Sequence, residues 1–142
     1  MRREPPARYE FRFWCEEKLR NADTDQFKHV NNAAIASMLE SARMEAFASE
    51  VHARLGGATL AVAHLAIDFH RELFYPGSVA IGSIVTRAGR SSFSVRQGVF
   101  DGDGCVASAE VICVLFDPVL RKAGEMSPAL RDYLDGGRVI SH

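Results

Sequence analysis

Four strand-like stretches follow one long apolar helix, with short turns between them, and this order narrows the fold more than any other feature of the chain. The stretches cover residues 60–71, 79–86, 92–100 and 106–116. Tyr75-Pro76-Gly77-Ser78, Ala88-Gly89-Arg90-Ser91 and Asp101-Gly102-Asp103-Gly104 supply the turns. Strands joined this closely pair antiparallel, because a parallel neighbour needs a long crossover. Ahead of them, Ile35, Met38, Leu39, Ala42, Ala46 and Phe47 recur at helical spacing, so a helix is expected over residues 32–53. Ala33, Ala34 and Ala36 would let it approach a sheet closely, and Gly56-Gly57 would end it. A further strand is expected over residues 9–16. Tyr9, Phe11, Phe13 and Cys15 would share one face, and Glu10, Arg12, Trp14 and Glu16 the other. Ser127 and Pro128 read as N-cap and first residue of a short helix to about residue 134. The expected fold class is therefore α+β: about five antiparallel strands wrapped around one long helix, then a short C-terminal helix. One domain is expected over residues 1–142, with a loose tail at 1–8 and a C-terminal segment at 119–142.

Charge and composition exclude several function classes. A net charge of −1 gives no basic field for nucleic acid or an acidic membrane. No apolar run reaches the roughly 18 residues that would span a bilayer. The start, Met1-Arg2-Arg3-Glu4-Pro5-Pro6, lacks the apolar stretch of a secretory signal. Cys15, Cys105 and Cys113 are odd in number, far apart and set in apolar stretches, which suits reduced, buried thiols and a cytoplasmic protein. His52, His64, His70 and His142 have no metal-ligand partners at useful spacing, so no metal site is expected.

The segment from Asp23 to Asn32 carries the chemistry. It sets two carboxylates, an imidazole and two amides within ten residues, just before the long helix. A helix start presents unpaired N–H groups and the positive end of its dipole, so base and oxyanion donors could meet there. The plainer reading is that Asn31 or Asn32 caps the helix and Asp25 shapes a turn.

The layout and this segment together resemble the hot-dog fold, in particular acyl-CoA thioesterases of the 4-hydroxybenzoyl-CoA thioesterase type. The signature Asp-x-x-x-His-Val-Asn-Asn is matched by Asp25-Gln26-Phe27-Lys28-His29-Val30-Asn31-Asn32. Leu39-Glu40-Ser41-Ala42-Arg43, Leu65-Ala66-Ile67-Asp68-Phe69 and Pro76-Gly77 continue the match over about residues 8–118. The resemblance implies hydrolysis of acyl thioesters with Asp25 as general base or nucleophile. Asp23 is the rival carboxylate. It also implies no cofactor beyond the coenzyme A of the substrate, and a homodimer or homotetramer with the site at a subunit boundary. The thiol carrier could be coenzyme A or an acyl-carrier protein. The chain departs from the family at Ile35, where an aromatic is frequent, at Ser78, where Asp is frequent, and at Lys28, where Gly is common.

Under this reading the free N–H groups near Asn32, Ala33 and Ala34 would polarise the thioester carbonyl. The Asn32 side chain would orient water or the carbonyl, or only cap the helix. His29 would hold the loop, tune Asp25 or touch substrate. Asn31, Ala33 and Glu40 are placed near the substrate, although Glu40 and Arg43 could simply pair across one helical turn. Arg87 and Arg90, with Ser92 beside them, cluster at one turn and suit the phosphates of coenzyme A. No G-x-S-x-G is present and no cysteine reads as a nucleophile. An acyl-thioester hydratase or dehydratase is the rival enzyme, but its Asn-Pro and following-His pattern is missing. A non-catalytic acyl-binding protein is the rival from another class.

Overall fold

The structure, a computed structural model, describes residues 4–136. Residues 1–3 of the expected tail, His142 and the rest of the last six positions lie outside that range.

Six strands form one antiparallel sheet. They are β1 (Phe13–Lys18), β2 (Thr59–Phe69), β3 (Ser78–Ala88), β4 (Ser92–Asp101), β5 (Gly104–Asp117) and the short β6 (Lys122–Ala123). The order across the sheet is β1-β3-β4-β5-β2, with β6 added on β5. The three helices are α1 (Asn32–Arg43), α2 (Ser49–His52) and α3 (Pro128–Gly136), and a π turn (Met44–Ala48) joins α1 to α2. The expected helix is thus present but widens in its second half. The β6 strand, two residues long, has no alternation to read and was not foreseen.

The helix packs on the sheet through the residues that its periodicity singles out. Ile35, Met38, Leu39 and Ala42 meet Ile81, Val99, Val106 and Ala109 in one buried cluster. Phe47 and Val51 meet Val85, Val95, Val111 and Leu115 in a second, which Leu130 and Leu134 of α3 close. Between the clusters lies one buried polar node. Gln97 on β4 is fully buried. Its amide donates to the Leu39 carbonyl and to Ser83 Oγ, both at 3.1 Å, and its carbonyl accepts from Arg43 at 3.0 Å. A buried amide of this kind is tolerated only when its partners are in place.

The N-terminal strand needs correcting. Residues Arg8–Glu10 form a 3-10 turn, so the strand begins only at Phe13. Tyr9 is exposed, while Phe11 is buried against Trp14 and Phe100 and away from the clusters that hold Phe13 and Cys15. The turn breaks the two-residue alternation before Phe13, and two glycines make room on that side. A Cβ on Gly82 would stand 2.7 Å from the Phe11 side chain, and one on Gly98 would stand 3.0 Å from it. These glycines face each other across β3 and β4.

Candidate active site

A tight loop leads into α1. The Asp25 N–H donates to the His29 carbonyl at 2.9 Å, and Lys28 N–H to the Asp25 carbonyl at 3.1 Å. Asp25 Oδ1 accepts from the backbone N–H groups of Phe27 at 2.9 Å and His29 at 3.1 Å. One carboxylate oxygen therefore shapes the loop. Asp25 Oδ2 accepts no hydrogen bond among the described residues, and the residue is exposed. Lys28 takes the left-handed conformation, with φ of 68°. The glycine common in the family suits that backbone geometry.

Neighbouring backbone straps the loop down. Val30 N–H donates to the Leu73 carbonyl at 2.8 Å, and Tyr75 N–H to that of Lys28 at 3.1 Å. His29 Nδ1 lies 3.2 Å from Glu72 Oε1, and its ring packs on Phe74 with centroids 4.6 Å apart. His29 thus meets Asp25 through its backbone N–H and carbonyl, while its ring is engaged by the strap. Glu72 and Phe74 carry no periodic or motif signal, so nothing in the sequence pointed to them.

The two asparagines divide the work at the helix start. Asn31 is the cap: its Oδ1 accepts from Ala34 N–H at 2.7 Å. The Ala34 N–H, expected to face the carbonyl, is therefore already engaged. The N–H groups of Asn32 and Ala33, and the Asn32 side chain, make no hydrogen bond among the described residues. Asp23 is built differently from Asp25. It is buried, and its carboxylate takes three bonds from Arg20, through the backbone N–H at 3.2 Å, Nε at 3.4 Å and Nη2 at 3.3 Å.

Asp25, His29, Asn31, Asn32 and Ile35 line an open pocket of about 480 Å³, whose far wall is Phe69, Arg71, Glu72 and Leu73. Other expected residues fall elsewhere. Glu40 lines a separate apolar pocket, and it makes no ion pair with Arg43 among the described residues, because the Arg43 guanidinium turns to Gln97. Arg43 is held below its ordinary pKa by burial, against a favourable field from Glu40. Arg90 lines a groove with Gly57, Val119 and Lys122, and Arg87 is exposed on β3. Ser92 pairs with Val114 on β5, whereas Phe69, in the Asp25 pocket, pairs with Ala107. Within one copy, Arg87, Arg90 and Ser92 therefore stand at the opposite end of the sheet from Asp25.

The cysteines offer no nucleophile. Burial pushes the Cys15 thiol up to about 11, helped by Glu45 and Glu17, and Cys105 likewise to about 11. Burial raises Cys113 too, against the pull of Arg43. Such thiols stay protonated at neutral pH. Among the described residues no three His, Cys, Asp or Glu side chains stand together as a metal site, and no helix is long and apolar enough to cross a membrane.

A curled antiparallel sheet with one long helix in its palm, and a polar pocket at that helix's start, defines a hot-dog protein. The model of the thioesterase superfamily matches residues 27–108, and the chain belongs to that family. The matched stretch begins just after Asp25. Solved structures share the fold. A thioesterase from Thermus thermophilus, complexed with coenzyme A and Zn, superposes with a TM-score of 0.79 at 23% identity, over 91% of this chain and 96% of its own. The YbaW probable thioesterase from Escherichia coli gives 0.75 at 22% identity, over 89% and 99%. A protein from Pseudomonas aeruginosa gives 0.79 at 19% identity, over 98% and 100%. No curated protein matches the chain.

Proposed function

We propose that the chain hydrolyses acyl thioesters, with acyl-CoA as substrate, in the manner of the 4-hydroxybenzoyl-CoA thioesterase branch. One observation carries the reading. A carboxylate with one oxygen fixed by its own loop and the other free shares a pocket with an open helix start. The carbonyl oxygen would sit at the Asn32 and Ala33 N–H groups, where the helix dipole favours developing negative charge. Asp25 then takes a proton from a water that attacks the carbonyl carbon, the carbon–sulfur bond breaks, and the departing thiolate is protonated. In the nucleophilic variant, Asp25 attacks the carbonyl carbon, the carbon–sulfur bond breaks to release the thiolate, and water hydrolyses the resulting anhydride to the free acid and Asp25. Asn32 orients the water or the carbonyl, and the strapped His29 holds the loop. The Thermus relative's complex with coenzyme A supports that thiol carrier over an acyl-carrier protein. No cofactor beyond the substrate's own coenzyme A is assigned, and the compartment assigned is the cytoplasm.

The working form would be a homodimer or homotetramer. The β2 strand ends the sheet, and residues 61–66 on it are exposed on both faces. An open edge of that length is a template for a second copy. Two-fold antiparallel pairing there would bring the Leu60 end of one copy beside the Phe69 end of the other. That pairing would carry Arg87, Arg90 and Ser92 towards the Asp25 pocket of the partner, where the phosphates of coenzyme A could meet them. The test is a panel of acyl-CoA substrates followed both for free thiol and for changes in double bonds. Steady thiol release is expected; altered double bonds without thiol would identify a hydratase instead.

A further inference from the structure

The turn that carries Arg90 is held more tightly than a solvated turn needs to be. Residues 89–91 join β3 to β4, and every carbonyl from Ala88 to Ser92 accepts a hydrogen bond. Arg131 of α3 donates two of these bonds, from Nη1 to the Ala88 carbonyl at 3.4 Å and from Nη2 to that of Gly89 at 2.7 Å. Met126 N–H donates to the Arg90 carbonyl at 2.9 Å, Leu115 N–H to that of Ser91 at 2.8 Å, and Gly89 N–H to that of Ser92 at 2.7 Å. The C-terminal segment thus grips three successive carbonyls, those of Ala88, Gly89 and Arg90. Anchoring α3 does not call for the Arg131 fork. Leu130 and Leu134 are fully buried in the second cluster, and Ser127 Oγ caps the helix by accepting from Leu130 N–H at 3.1 Å. Arg131 is only half-buried beside them. The Arg90 side chain itself stays exposed. A long side chain gives up freedom when it binds a ligand, and one on a fixed turn has less to give up.

We propose that Arg131 is a positioning residue for coenzyme A: by bridging the Ala88 and Gly89 carbonyls it aims Arg90 at the phosphates of the substrate. The inference rests on the coenzyme A reading above, in which Arg90 reaches those phosphates, and names the residue that fixes its direction. Only arginine suits this task, because its planar fork spans two neighbouring acceptors. Arg131 does not touch substrate, since both of its Nη groups are turned to the backbone. It also stands apart from the chemistry. The loop that holds Asp25 is built by its own hydrogen bonds and by the strap after β2, and none of them involves α3 or the turn at 89–91. Loss of the fork should therefore weaken binding of the phosphate end and leave the hydrolytic step as it is.

The test compares an acyl-CoA with the same acyl group on N-acetylcysteamine, which keeps the thioester and lacks every phosphate. Arg131→Met retains the apolar stem and removes the fork. It should raise KM for the acyl-CoA by about threefold to tenfold with kcat unchanged, the cost of ordering one long side chain on binding. For the N-acetylcysteamine thioester, kcat/KM should stay within about twofold. Arg131→Lys should show the same rise as Arg131→Met, because an ammonium is a point charge and does not span two carbonyls. In an Arg90→Ala background neither substitution should raise KM further, since the residue they act through is gone. A second measurement needs no turnover. Calorimetry with coenzyme A itself should show Kd rising by the same factor in Arg131→Met, and no further rise when Arg131→Met is added to Arg90→Ala. Coenzyme A binding that follows this pattern, without thiol release from any acyl-CoA, would uphold the positioning role and overturn the hydrolase reading. Equal losses on both thioesters, rescue by Arg131→Lys, or losses that add in the Arg90→Ala background would overturn the proposal.

Discussion

The two pockets along α1 are built by different means. At the helix start, Asp25 and Asn31 are positioned by hydrogen bonds within one short loop, which the strap after β2 holds down, and Asn32 follows as the first residue of the helix. At the far end, the helix, β2 and β4 enclose a space with apolar side chains and one bulge. Hydrogen bonds fix directions, which the chemistry of a carbonyl requires. Packing fixes volume and shape. The two properties can therefore change separately, while Gln97 ties the helix to β3 and β4 at a joint between the two buried clusters.

Substitution at that joint should have the largest effect on the fold. Gln97→Ala leaves the Arg43 guanidinium and Ser83 short of a partner and opens a cavity, so denaturant unfolding should show a loss of about 3 kcal/mol. A loss below about 1 kcal/mol would mean that the two clusters do not depend on the node. Next comes Asn32→Ala, which should lower kcat by about 10-fold to 100-fold, with KM and the unfolding midpoint nearly unchanged. Asn31→Ala should do the reverse, costing about 1 kcal/mol of stability through the lost cap. A drop in stability for Asn32→Ala instead would reassign the cap. The smallest effect is expected for Lys28→Gly. It relieves a left-handed backbone but loses the 2.7 Å bond from Lys28 Nζ to Asn21, so thermal melting should show a gain of no more than about 0.5 kcal/mol.

The same contrast explains what the sequence revealed. The strands after α1, and the helix itself, follow from periodicity and turn residues, which are local signals, as is the cluster of polar residues at 23–32. The assignment of the cap to Asn31 over Asn32 was not legible, because both fit the composition of a helix start and only the geometry separates them. Phe11 misled because a 3-10 turn interrupts the alternation before Phe13, and the glycines that admit it lie far along the chain, at Gly82 and Gly98. The Glu40–Arg43 pair failed for a similar reason: Gln97, distant in sequence, competes for the guanidinium. Glu72, Phe74 and the apolar pocket depend on contacts between remote segments, which no short window of sequence contains.

The free oxygen of Asp25 is the centre of the proposed chemistry. The most direct test compares thiol release from one acyl-CoA by the unaltered protein and by Asp25→Asn, with helical circular dichroism confirming that both are folded. The asparagine keeps the Oδ1 acceptor for the Phe27 and His29 N–H groups and removes the base. The rate should fall by about 10²–10⁴-fold with the fold unchanged. A folded Asp25→Asn protein that releases thiol at close to the original rate would contradict this role for Asp25.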